Sequence, residues 1–150
     1  MGRPAGTDSA SKLRVLVVDD DRASLASLEG VLSADYEVVS CLSPLAALAF
    51  ARAEVKKDRH FDVVCSDFRM LEMNGAELLR RIAELPGSPT CILVTGYVEV
   101  LTSEHRHAGH IRGIVAKPYD PAYIIGLIER FGRITRANRS LRDPAPSHGS

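Results

Sequence analysis

Five short apolar runs, LRVLVV (13–18), YEVVSC (36–41), FDVVCS (61–66), TCILVT (90–95) and RGIVA (112–116), alternate with longer segments of helical period. This alternation constrains the fold more than any other feature, because successive parallel strands need a long crossover and a helix fills it. Several runs are continuously apolar, as strands covered by helices on both faces must be. The expectation is an α/β fold: a five-stranded parallel sheet, doubly wound, with five helices.

The intervening segments support that reading. Leu25, Leu28, Val31 and Leu32 recur at steps of three or four behind an aspartate cluster, which suits a helix N-terminus. The second helix uses Leu45, Leu48, Ala49 and Ala53, with Ser43 as N-cap and Pro44 at the first helical position. The third starts near Gly75, carries Leu78, Leu79 and Ile82, and stops before Pro86. The fourth spans about 97–108 and is the poorest helix former, since Val98, Val100 and Thr102 have low propensity. The fifth follows Pro121 with Ile124, Leu127, Ile128, Phe131 and Ile134.

A chain of 150 residues, 45% apolar and 25% charged, is one ordinary globular domain. Its expected limits are residues 12–135, between a disordered tail at 1–11 and a helical extension with a disordered tail at 136–150. Nineteen basic residues against nineteen acidic give no net field to recruit nucleic acid or anionic lipid. Without a long apolar segment or signal peptide, and with Cys41, Cys65 and Cys91 expected as free thiols, the chain reads as cytoplasmic.

Open parallel sheets bind ligands beyond the carboxyl ends of their strands. There the first run ends in Asp19, Asp20 and Asp21, the third in Asp67, the fourth in Thr95 and the fifth in Lys117. Clustered carboxylates repel one another and call for a hard divalent cation such as Mg²⁺ with oxygen ligands. A compact ammonium and a hydroxyl beside such an ion suit a phosphoryl group.

At VLVVDDD (15–21), DVVCSDFRMLEMNG (62–75), ILVTGY (92–97) and AKPY (116–119) the sequence resembles the receiver domain of two-component response regulators. The resemblance implies strand order 2-1-3-4-5. It makes Asp67 the acceptor of a phosphoryl group from a histidine kinase or histidine phosphotransfer protein. Asp19 and Asp20 match the Mg²⁺-organising acidic pair, the backbone carbonyl of Arg69 a further ligand beside Asp67, Thr95 the switching hydroxyl, and Lys117 the paired cation. It also implies a cis bond before Pro118. The expected role is a phosphorylation-dependent switch without turnover on an external substrate, acting on a downstream protein, with a homodimer through the fourth and fifth helices as one assembly it allows. The alternative is an adaptor that binds partners without phosphorylation, which a broken acidic or lysine site would have favoured.

Several positions depart from the family pattern. Leu71 replaces a common proline, a change expected to leave the chemistry untouched, and Gly96 replaces the usual alanine. Ile114 stands where an aromatic residue often changes rotamer on activation. Arg69 and Tyr97 flank the direction from which water would attack, so slow loss of the phosphoryl group is expected.

Other features have plainer readings. Asp19 and Asp21 have the DxD spacing of haloacid-dehalogenase-like phosphatases, but Ala23 stands where a threonine belongs. His105, His107 and His110 are expected as solvated residues around a helix end, and Cys65 as a buried structural thiol. Arg130, Arg133, Arg136, Arg139 and Arg142 recur at steps of three and drift around the helix, which reads as a solvated extension. Against that, Leu127, Phe131, Ile134, Asn138 and Leu141 have the four-three spacing of a short coiled coil.

Overall fold

A computed structural model describes residues 12–142; the two expected tails, 1–11 and 143–150, lie outside the described residues. The elements are β1 (Arg14–Val18), α1 (Arg22–Leu32), β2 (Glu37–Cys41), α2 (Pro44–Lys56), β3 (Val63–Ser66), α3 (Gly75–Ala83), β4 (Thr90–Thr95), α4 (Ser103–Arg106), β5 (Ile111–Ala116) and α5 (Pro121–Arg142). All neighbouring strands are parallel in the order β2-β1-β3-β4-β5.

The sheet separates two apolar layers. Leu16, Val64 and Leu93 pack with Leu48 of α2 and Leu79 and Ile82 of α3. On the other face Val15, Val17, Cys65 and Val94 meet Leu28 of α1 and Ile124 and Ile128 of α5. The central strands β3 and β4 are buried along their whole length, whereas β2 at one edge is half-buried throughout. The expected doubly wound architecture is therefore present, and its alternation of strand and helix is what brings the five strand ends to one edge.

Local signals set the helix starts. Asp21 accepts from the Ser24 N–H, Ser43 from Ala46 ahead of Pro44, and Asn74 from Glu77. Three expectations need correction. In α2 the buried alanines are Ala47 and Ala51, beside Pro44 and Leu48, while Leu45, Ala49 and Ala53 are exposed, so the inward face lies one step round from the expected one. The fourth helix is not continuous over 97–108: a 3₁₀ turn at Val98–Val100 precedes a four-residue α4, as the β-branched residues there disfavour helix. And two arginines of α5, a helix that runs to Arg142, are turned inward rather than solvated.

That last correction has a clear cause. Asp62, fully buried before β3, accepts from the Arg14 backbone N–H at 2.8 Å, from Arg136 Nη2 at 2.7 Å and from Arg139 Nη1 at 3.1 Å. Arg139 also donates to the Phe61 carbonyl at 2.9 Å. Gly132 makes this approach possible, since a Cβ there would stand 2.7 Å from Leu13 Cδ1 and 3.0 Å from Val63 Cγ2. Arg136 and Arg139 are thus anchors of α5 rather than solvated charges. The outer stripe remains open, with Ile134 and Leu141 exposed.

Candidate functional site

The carboxyl edge of the sheet gathers the residues singled out from the sequence. Asp19, just past β1, is buried; Asp20 is exposed; Asp67 follows β3; Thr95 closes β4 and is fully buried; Lys117 follows β5. One carboxylate oxygen from each of Asp19, Asp20 and Asp67 lies within 4.8 Å of the others. Among the described residues this is the one such group of three histidine, cysteine or acidic side chains. Asp20, Asp67, Arg69, Tyr97 and Lys117 line a single open cleft.

One ammonium serves two carboxylates. Lys117 Nζ lies 2.7 Å from Asp19 Oδ2 and 3.8 Å from Asp67 Oδ1. The second contact is too long for a hydrogen bond, and Asp67 Oδ1 is buried with no hydrogen-bond partner. Burial raises the Asp67 carboxyl above its ordinary value; the Lys117 charge pulls it down, Asp19 pushes it up again, the Phe68 N–H and the Thr95 hydroxyl lower it more weakly, and the net shift is upward. A buried carboxylate oxygen left without a donor beside two further carboxylates fits a hard cation.

Main-chain contacts hold the geometry. The Asp67 N–H donates to the Val18 carbonyl at 3.0 Å and the Lys117 N–H to the Thr95 carbonyl at 2.9 Å, tying neighbouring strand ends together. Asp21 N–H donates to Asp19 Oδ1 at 2.9 Å, so Asp19 and Asp21 divide their work: one faces the cleft while the other caps α1. Tyr97 N–H donates to Thr95 Oγ1 at 3.1 Å. The Lys117–Pro118 peptide is cis.

Four residues here were not singled out for their contacts by sequence reasoning. A Cβ on Gly75 would stand 2.0 Å from the Asp67 carbonyl oxygen, so glycine is required where α3 starts; the Asn-Gly pair after Met73 was the available signal. Ser66 Oγ donates to the same carbonyl at 2.8 Å. The Leu71 N–H donates to Asp20 Oδ2 at 3.1 Å, a bond that proline could not make. The departure at Leu71 therefore does reach the acidic cluster, contrary to expectation. Phe68, beside Asp67, turns its ring to His105.

Arg69 and Tyr97 meet at the mouth of the cleft, the guanidinium carbon 4.7 Å from the ring centroid. Gly96 is open, with its hypothetical Cβ 4.0 Å from the nearest heavy atom. Elsewhere, burial pushes the Cys65 and Cys91 thiols up to about 12, which removes the thiolate a redox role would need. Of the histidines expected as solvated around a helix end, His105 is instead half-buried and bonds to Thr102, the N-cap of α4, while the exposed His107 bonds to Ser103.

Comparisons with known proteins identify the family. The family profile described as the response regulator receiver domain matches residues 15–129. The transcriptional regulatory protein FixJ of Rhizobium meliloti (strain 1021) is 34% identical over 118 residues, covering 77% of this chain and 55% of FixJ. An uncharacterized 14.6 kDa protein of Leptolyngbya boryana is 32% identical over 128 residues, covering 81% of this chain and 91% of that protein. ZraR of Klebsiella oxytoca is 32% identical over 113 residues, covering 75% of this chain and 24% of ZraR. The chain thus spans about half of FixJ and a quarter of ZraR.

Solved structures give the same answer. A CheY-like receiver domain protein from Methanospirillum hungatei JF-1 superposes with a TM-score of 0.71 at 27% identity, covering 85% of this chain and 99% of that one. A chain described as adenylate cyclase from Rhodopirellula baltica gives 0.74 at 28%, covering 89% and 99%. With the profile spanning most of the described chain, the protein belongs to the response regulator receiver-domain family.

Proposed function

We propose that this receiver is a phosphorylation-dependent switch whose acceptor is Asp67. The observation that carries the reading is the under-compensated Asp67 carboxylate, its Oδ1 buried without a donor between Asp19 and Lys117. In the proposed step a carboxylate oxygen of Asp67 forms a bond to phosphorus as the phosphorus–nitrogen bond of a phosphohistidine breaks, and the donor imidazole takes the electron pair. The donor is a histidine kinase or histidine phosphotransfer protein.

Asp19, Asp20, Asp67 and the Arg69 carbonyl would hold Mg²⁺, which supplies charge neutralisation between acceptor and phosphoryl oxygens. Lys117, already 2.7 Å from Asp19, is the cation available to the new phosphoryl oxygens, and Thr95 the hydroxyl. Phosphorylation adds about 1.5–2 negative charges at pH 7 in this confined space. The Thr95 hydroxyl, which accepts from Tyr97 N–H, links that charge to the segment leading into α4. The Arg69–Tyr97 pair covers the approach of water, so the phosphoryl group is lost slowly.

Output is through protein contacts in the cytoplasm, on the α4, β5 and α5 side. A homodimer through α4 and α5 is part of the proposal, since Ile134 and Leu141 of α5 and Val100 in the 3₁₀ turn before α4 are exposed. The test is intact mass after incubation with Mg²⁺ and acetyl phosphate. A gain of one phosphoryl group, abolished by chelation and by Asp67→Asn, is expected; no gain from either this donor or a phosphohistidine protein overturns the reading.

A further inference from the structure

Phe68 shares a peptide bond with Asp67, and its side chain turns into the core, 9% exposed. Its ring meets the His105 imidazole with centroids 4.9 Å apart and planes at 63°, the edge-to-face arrangement that aromatic pairs favour. His105 is in turn locked to the start of α4. Its N–H donates to Thr102 Oγ1 at 3.2 Å, and its Nδ1 accepts from the Thr102 N–H at 3.1 Å. The imidazole therefore reports the position of α4, and the phenyl ring reports that of the Asp67 main chain.

The setting makes this contact consequential. A four-residue helix has too few internal hydrogen bonds to fix its own place, so side-chain anchors decide where α4 lies. The Asp67–Phe68 main chain is held on the other side by Ser66 Oγ on the Asp67 carbonyl and by the Gly75 N–H on the Phe68 carbonyl, both at 2.8 Å. The Phe68 ring is the contact of this segment with His105 of α4. Ile114 in β5, half-buried in the same apolar layer, has no ring to reorient.

We infer that the Phe68–His105 contact couples the state of Asp67 to the position of α4. The inference rests on Asp67 being the phosphoacceptor. By linkage, whatever α4 position phosphorylation favours through this contact also favours phosphorylation.

The test compares wild type, Phe68→Leu and His105→Gln after treatment with Mg²⁺ and acetyl phosphate. Intact mass records phosphorylation, and amide exchange over residues 98–108 records α4. Gln at position 105 preserves the reciprocal cap with Thr102 while deleting the ring, and Leu at 68 preserves apolar bulk. All three proteins are expected to gain a phosphoryl group. The exchange response of residues 98–108 should be clear in wild type and fall about two- to tenfold in both variants, the factor that matches the worth of one aromatic pair. A full response in either phosphorylated variant overturns the coupling, as does a phosphorylated wild type whose residues 98–108 do not respond. No phosphoryl gain in wild type overturns the reading of Asp67 itself, and the coupling with it.

Discussion

β3 has an aspartate at each end, and the fold treats the two in opposite ways. Asp62, at the amino end, is fully buried, and its two carboxylate oxygens accept from a backbone N–H and from the guanidinium groups of Arg136 and Arg139. Asp67, at the carboxyl end, keeps one buried oxygen with no donor and shares a single lysine with Asp19. The amino-end carboxylate is saturated and therefore structural. The carboxyl-end one is left with unused acceptor capacity in a crowded acidic cleft, and that unused capacity is what an incoming cation and phosphoryl group can take up.

The largest effect should come from neutralising the unsaturated end. Asp67→Asn is expected to remove phosphoryl acceptance completely while leaving the fold at least as stable. The sign follows from linkage: the folded-state value of Asp67 is raised by burial above its ordinary 3.8, so its stabilising contribution is fully present below 3.8 and is lost as pH rises through the raised value. Urea midpoints should therefore show the variant's advantage widest at neutral pH and narrowing as pH falls toward 3.8. A variant destabilised at neutral pH would break the contrast between the two ends.

Next comes the saturated end. Asp62→Asn leaves two inward-turned guanidinium groups without their carboxylate and should cost about 3 kcal/mol by denaturant unfolding. The folded fraction should still accept a phosphoryl group, which separates the structural aspartate from the reactive one. Mg²⁺ sharpens the same contrast: at a hundredfold excess over its dissociation constant it should stabilise wild type by about 2.7 kcal/mol. Asp62→Asn should respond equally in calorimetry, and Asp67→Asn far less. The smallest effect is expected at Gly96→Ala, where the added Cβ meets nothing closer than 4.0 Å; stability should stay within about 0.5 kcal/mol and acceptance of the phosphoryl group should persist.

These contrasts also mark what the sequence made legible. The strand runs and the polar residues closing them are local patterns, so β4 matches its expected span and Asp19, Asp67, Thr95 and Lys117 arrive at one edge once parallel order is granted. Caps are local too, and Ser43 and Pro44 lie where expected. By contrast, the ties from Asp62 to Arg136 and Arg139 join residues 74 and 77 apart. Step-of-three spacing sees only one helix and misread those arginines as solvated. Phe68 with His105 has the same character, joining the β3–α3 loop to α4 through tertiary packing alone, whereas Arg69 and Tyr97 were brought to one side of the site by the resemblance and only their direct contact is new. The weak fourth helix was visible as low propensity, which agrees with its break into a 3₁₀ turn and one α-turn, but the burial of Leu101 between the two was not.

The most direct test of the contrast between the two ends of β3 is to locate the phosphoryl group by residue. Wild-type protein treated with Mg²⁺ and acetyl phosphate, reduced with borohydride to convert an aspartyl phosphate to homoserine, and mapped by peptide mass spectrometry should carry homoserine at position 67. Homoserine at 62, 19 or 20 in place of 67 would contradict the assignment of the reactive carboxylate to the unsaturated end of the strand.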